Sequence, residues 1–181
     1  MTHIKLYPKI LILSNMRRIM IDAKHLASKS AQVVQAALEK VGAHFNVVEL
    51  AASTRTAQDA ANALDCNIAQ IIKSLVFRTV TSNKPILVLA SGINRVNEKT
   101  IGKEVGEKIV KADADFIREV TGFAIGGIPP VGHTQMIETL IDEDLLKLDL
   151  LWAAAGTPHA VFKLKASDLV SLTGGKVISV K

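Results

Sequence analysis

The sequence predicts an α/β chain of the α+β kind, a curved mixed β-sheet with helices packed around it, and three observations carry that expectation. Apolar segments of helical and of extended periodicity are interspersed without regular βαβ alternation. Two strongly apolar extended runs, Lys73 to Val80 and Lys84 to Ala90, are separated only by Thr81-Ser82-Asn83, which is a hairpin spacing. The 181 residues, 49% hydrophobic and 22% charged, suit one ordinary globular core and exclude a disordered or collagen-like chain.

Residues 1–29 hold six bases and one acid, Asp22, and account for the net charge of +5, whereas residues 30–181 carry 16 bases against 16 acids. The first segment reads as a basic N-terminal extension: an upstream start with Met20 as an alternative initiator, or a disordered arm able to touch phosphate. Its apolar run Ile10–Leu13 is too short for a membrane span or a signal h-region, and Arg17-Arg18 soon follows. The domain itself is expected over 30–181.

Ala31, Val33, Val34, Ala37, Leu38 and Val41 recur at helical spacing, with Ser28 or Ser30 as cap and Gly42 as stop. His44 to Leu50 reads as a strand, and Thr54 or Thr56 can cap an alanine-rich helix ending at Leu64. Ile68 to Ile72 is a short helical turn running straight into Lys73 and the hairpin, whose strands belong in the core sheet.

Beyond the hairpin, Asn97 to Val105 and Asp113 to Val120 read as helices, the second with Asp113 as cap and Gly122 as stop. Lys108 to Lys111 is a short strand or a connection. The run from Gly122 to His133 has four glycines and two prolines in twelve residues and must be a shaped loop. Met136 to Ile141 reads as a strand and Asp142 to Leu148 as a helical turn. Leu150 to Ala155 and Ala160 to Leu164 form a second hairpin around Gly156-Thr157-Pro158-His159. Ala166 to Leu172 is a last helix stopped by Gly174-Gly175, and Lys176 to Val180 a last strand.

Composition narrows the function. Aromatic residues make up 4%, too few for a platform of interleaved base-stacking rings. The single cysteine, Cys66, cannot form an internal disulfide, which fits a reducing compartment, with the cytoplasm as the expectation. Cys66 itself reads as a small packed residue. The histidines at 3, 25, 44, 133 and 159 have no metal-ligand spacing, so neither a metal nor another cofactor is expected. Asp113 and Asp115 read as helix-start acids.

The glycine-rich loop is the strongest local signal. Its glycines let backbone amides approach a carbonyl or phosphate oxygen while the prolines stiffen the chain, although a rigid structural turn has the same composition. It lacks a Walker Lys-Ser/Thr ending and the dinucleotide pattern. Lys73 is the second signal: a cation between Ile71-Ile72 and Leu75-Val76-Phe77 either snorkels to solvent or holds an ester or phosphate oxygen. Ser74 adds a hydroxyl suited to binding, with no base nearby in sequence to activate it. His133 closes the loop and reads as a turn cap, and His159 sits in the second hairpin connection.

Together, Ile72-Lys73-Ser74-Leu75-Val76-Phe77, Ala112 to Phe116, Gly122 to His133 and Ala155 to Phe162 resemble the YbaK/prolyl-tRNA-synthetase-associated editing domains over about residues 30–180. The resemblance implies a compact, partly barrel-like domain that hydrolyses the ester of mischarged aminoacyl-tRNA, typically tRNA for proline carrying cysteine, alanine or another small amino acid. Such free-standing proteins act in trans to prolyl-tRNA synthetase. By this likeness Lys73 is the functional lysine, and Gly126 through Pro130 matches the Gly-x-x-x-Pro loop. The amides of Gly126 and Gly127 would stabilise the charge that ester hydrolysis develops. Ser74, Ile128, Pro129, Pro130, Gly156, Thr157 and His159 would shape the substrate pocket, with water or the substrate's own thiol as nucleophile. A neutral domain must then draw on a local basic cluster such as Lys99, Lys103, Lys108 and Lys111, or recognise chiefly the acceptor end. Two rival readings use the same cleft: a non-catalytic aminoacyl-tRNA or synthetase-binding module, and a small-molecule ester or phosphate hydrolase.

Overall fold

A computed structural model describes residues 26–42 and 45–181. Among them are five α-helices and eight strands: α1 (Lys29–Lys40), β1 (Val47–Glu49), α2 (Ala57–Leu64), β2 (Ile72–Thr79), β3 (Pro85–Ser91), α3 (Glu98–Val105), β4 (Ile109–Lys111), α4 (Ala114–Thr121), β5 (Glu138–Asp142), β6 (Leu150–Ala154), β7 (Ala160–Lys165), α5 (Ala166–Thr173) and β8 (Lys176–Ile178). Short 3-10 turns occupy Ile68–Gln70 and Glu143–Lys147.

The expected mixed sheet is present as two sheets that meet. Five strands run in the order β4-β2-β3-β5-β8, and three antiparallel strands in the order β1-β7-β6. A single bridge between Ile71 and Trp152 joins them. In the larger sheet β2 is antiparallel to β3 and β4, while β3–β5 and β5–β8 are parallel. Parallel neighbours need long crossovers, and the stretch carrying α3, β4, α4 and the glycine loop is the first of them.

Side chains of β2 and β3 alternate between two cores. Ile72, Val76, Leu87 and Leu89 join the larger one, with Val34 and Leu38 of α1. Phe77, Ile86, Val88 and Ala90 join the smaller, with Ile101 of α3. A strand covered on both faces reads as an unbroken apolar run, which is why β3 was so evident in sequence. Each fully buried aliphatic side chain contributes about 1.5–3 kcal/mol.

The helix ends follow from side chains. Thr56 accepts from the Asp59 amide, Asn97 from those of Lys99 and Thr100, and Asp113 from that of Phe116, while Gly106, Gly122 and Gly174 turn left-handed at the far ends. The hydroxyl of Ser28 makes no such capping bond.

Several boundaries differ from expectation: β1 is confined to Val47–Glu49 and β8 ends at Ile178, both shorter than the runs read from sequence. The folded part begins before residue 30: Leu26 is buried in the larger core, and the amides of Ala27 and Ser28 donate to the Glu49 carboxylate at 2.8 and 3.0 Å. A boundary set by charge could not register that packing. The rest of the basic extension, residues 1–25, and His44 lie outside the described residues. β5 starts two residues later than expected, because Met136 is 99% exposed and precedes the pairing with β3. No helix among the described residues is long and apolar enough to cross a membrane.

Candidate functional site

β4 pairs with β2 over Phe77–Thr79, and among the described residues the one β-bridge from β6 towards this strand is that of Trp152 to Ile71, just before it. The edge of β2 between them is open, and a cavity of about 1230 Å³ fills the gap. Its walls are Lys73 to Phe77 of β2, Trp152 to Ala154 of β6, Lys111 at the end of β4 and Ala112 after it, the segment Ile93–Lys99, the start of α2, and Ile125, Gly126 and Ile128 of the glycine loop.

Backbone alternation gives this edge its chemistry. Val76 accepts from the Ala112 amide and the Val80 amide donates to Lys108, so even-numbered residues pair on the β4 side; Thr79 donates to Lys84 on the hairpin side. In an antiparallel strand the N–H and C=O of one residue point the same way. Those of Ser74 therefore face the gap. Its hydroxyl is buried and finds no hydrogen-bond partner among the described residues.

Lys73 pairs through its backbone with Ala90 of β3 and sends its side chain to the turn that follows β3. The ammonium donates to the Gly92 carbonyl at 3.1 Å and to the Asn94 carbonyl. Burial pushes its pKa below the ordinary lysine value, and the negative charge of Asp142 works against that shift. The lysine is thus held at the cavity wall by carbonyl oxygens rather than extended into solvent.

The glycine loop, which shares this cavity, is braced by the β6–β7 connection. The Gly156 amide donates to the Gly127 carbonyl at 2.8 Å, and a Cβ on Gly127 would come within 2.7 Å of the Thr157 backbone, an approach only glycine permits. Pro129 and Pro130 are buried, and the His133 ring pairs with the Pro129 carbonyl at 2.8 Å and packs edge-on to Phe123. The turn-cap reading of His133 matches this geometry.

The expected site residues therefore divide. Lys73, Ser74, Gly126 and Ile128 line the cavity together. Gly127, Pro129, Pro130, Gly156 and Thr157 lie outside its lining, and Gly127 is held against Gly156 and Thr157 of the other loop. His159 is exposed and outside the lining, and its carbonyl accepts from Leu50. One expected role is corrected: the Gly127 amide donates to the Ala124 carbonyl at 3.1 Å within the loop's own turn, so it is not available to an oxyanion. The amides of Gly126 and Ile128 have no acceptor among the described residues.

Charge gathers at the mouth. Arg55, Arg95, Lys99 and Lys111 line the cavity with Lys73, and Glu98 is the single acid there. All four rim bases are exposed and none has an acidic partner among the described residues. Lys103 and Lys108 of the expected basic cluster are not on this wall. Arg55 and Arg95 were not singled out in sequence, because each sits in a short polar connection that looks like any helix approach. Among the described residues the lining has no histidine or cysteine.

A model of the aminoacyl-tRNA editing domain matches residues 51–172. A solved structure provisionally described as a trans-editing enzyme for prolyl-tRNA synthetase is 46% identical, with a TM-score of 0.82 over 86% of this chain and 99% of that one. YwhH of Bacillus subtilis, a protein of unassigned function, is 27% identical over 77% of this chain and 93% of its own length. EbsC of Enterococcus faecalis, provisionally named a Cys-tRNA(Pro)/Cys-tRNA(Cys) deacylase, is 24% identical over 69% of this chain and 76% of its own. The proline–tRNA ligase of Lactobacillus acidophilus is 28% identical over 60% of this chain, a stretch that makes up 19% of the ligase.

Proposed function

The chain belongs to the aminoacyl-tRNA editing domain family, and from that premise we propose that it hydrolyses the ester of mischarged aminoacyl-tRNA in trans, the substrate being tRNA for proline that carries cysteine, alanine or another small amino acid. The observation that carries this reading is the fixed Lys73 ammonium, which lines the same cavity as the glycine loop and four further, exposed bases.

Ester hydrolysis builds negative charge on the carbonyl oxygen. The amides of Gly126 and Ile128 supply donors for it, and Lys73 holds the terminal adenosine or the ester region by its charge. The edge carbonyl and amide of Ser74 suit the polar groups of an aminoacyl unit. Small, apolar surroundings from Ile72, Ile128 and Ala153 limit the side chain by shape, the basis of a sieve. Among the described residues the lining has no histidine or cysteine to activate a protein nucleophile. Water attacks, or the substrate thiol where the amino acid is cysteine.

Arg55, Arg95, Lys99 and Lys111 answer the difficulty of a domain neutral overall. Charge concentrated at the mouth meets acceptor-end phosphates where they arrive, and a partner synthetase supplies any further tRNA contact.

The test is deacylation of tRNA for proline charged with cysteine, alanine, serine, threonine or proline, by wild type and Lys73→Ala. Selective, lysine-dependent release of a non-cognate amino acid supports the proposal. Binding without release from any member would favour the non-catalytic module, and release from free esters without RNA the small-molecule hydrolase.

A further inference from the structure

We infer that Asp142 is a positioning residue of this site, acting on Lys73 through the turn Ser91–Asn94; the inference rests on the role of Lys73 proposed above. Asp142 ends β5 and is fully buried. One carboxylate oxygen accepts from the Ser91 amide at 3.0 Å and from the Asn94 side-chain amide at 2.7 Å. The other accepts from the Asp144 amide at 3.1 Å. A buried carboxylate is costly unless such donors satisfy it, and two of these three belong to the turn.

The turn has little freedom. The Asn94 amide closes it onto the Ser91 carbonyl at 3.0 Å, and the Ser91 hydroxyl donates to Ala69 at 2.8 Å. A Cβ at Gly92 would lie 2.0 Å from the Ile68 carbonyl oxygen, so only glycine lets the turn lie this close. Held in this way, the carbonyls of Gly92 and Asn94 both receive the Lys73 ammonium. Two of its three N–H groups are oriented by the turn, and the third is left for a ligand.

Asp142 also provides the negative charge that bears on Lys73. Asp144, next in line, is paired with Lys147 and Lys181 at 2.7 Å each. The other charged groups around the lysine are those of the cavity wall: Arg55, Arg95, Glu98, Lys99 and Lys111. Removing the Asp142 charge moves the lysine's titration whatever else that residue holds, so the hold on the turn is read separately, from deacylation and from a variant that keeps the charge.

The experiment measures acylation of Lys73 by an amine-directed reagent against pH, read by peptide mass on the full chain without tRNA, beside the deacylation assay. In folded Asp142→Asn, loss of the counter-charge lowers the labelling midpoint of Lys73 by about 0.5–1 pH unit. Deacylation falls by roughly tenfold or more as the turn loosens. Beside it, Asn94→Ala keeps the charge and the cap but removes the tether to Asp142 and Asp144, and deacylation falls in that variant too. A midpoint that stays or rises in folded Asp142→Asn, or undiminished deacylation in folded Asn94→Ala, overturns the inference. A lowered midpoint in a protein that releases no amino acid from any tRNA upholds the action of Asp142 on Lys73 and counts against the proposed function instead.

Discussion

The amide of Gly156 donates to the carbonyl oxygen of Gly127 at 2.8 Å, so the glycine loop and the β6–β7 connection form one wall behind the cavity. Gly127→Ala drives a methyl group against the Thr157 backbone, which cannot yield without moving the connection. Destabilisation of about 1–3 kcal/mol is expected, together with weaker deacylation. Urea denaturation measures the first; an unchanged midpoint would mean that the two loops separate freely.

Lys73→Ala removes the fixed ammonium and leaves the strand pairing intact. Single-turnover deacylation should fall about 10²–10³-fold. The melting temperature should hold, since the loss relieves a desolvated charge. Lys73→Arg should not restore activity, because a planar guanidinium cannot meet the carbonyls of Gly92 and Asn94 with the geometry of an ammonium.

The rim bases act on binding rather than chemistry. Replacing Arg55, Lys99 and Lys111 together by alanine should raise KM for charged tRNA and leave kcat within a factor of about two. The logarithmic salt dependence of binding should flatten by about 0.7 for each phosphate that the variant no longer neutralises. Equal salt slopes for variant and wild type would remove the rim from the interface.

His133 couples stability to pH. Burial depresses its pKa below the ordinary histidine value, and the hydrogen bond to the Pro129 carbonyl opposes that shift. The folded state therefore binds the proton less readily than the unfolded chain. The contribution is complete above the unfolded pKa, about 6.5, and is lost as pH falls through the lower folded value. Denaturation midpoints compared between pH 7.5 and 5 should show a smaller fall in His133→Gln than in wild type.

What the sequence determined by itself was local. Caps at Thr56, Asn97 and Asp113, stops at Gly122 and Gly174, the Lys73–Ala90 hairpin and the stiff glycine loop all follow from short-range chemistry, so their positions were legible to within a residue or two. Lys73, Ser74 and the loop stood out for the same reason. The cavity did not, because it exists only where β4 stops short of Ser74 and β6 departs after Trp152, a matter of register between strands far apart in the chain. Nor did the division of the loop amides, since the Gly127 amide turns inward to Ala124 while those of Gly126 and Ile128 remain without an acceptor among the described residues. Only tertiary structure set Arg55 and Arg95 on one rim, and only it brought the Asp142 carboxylate against the turn that holds Lys73. Side chains remote in sequence share a site through packing and long-range hydrogen bonds, and neither leaves a periodic trace in the chain.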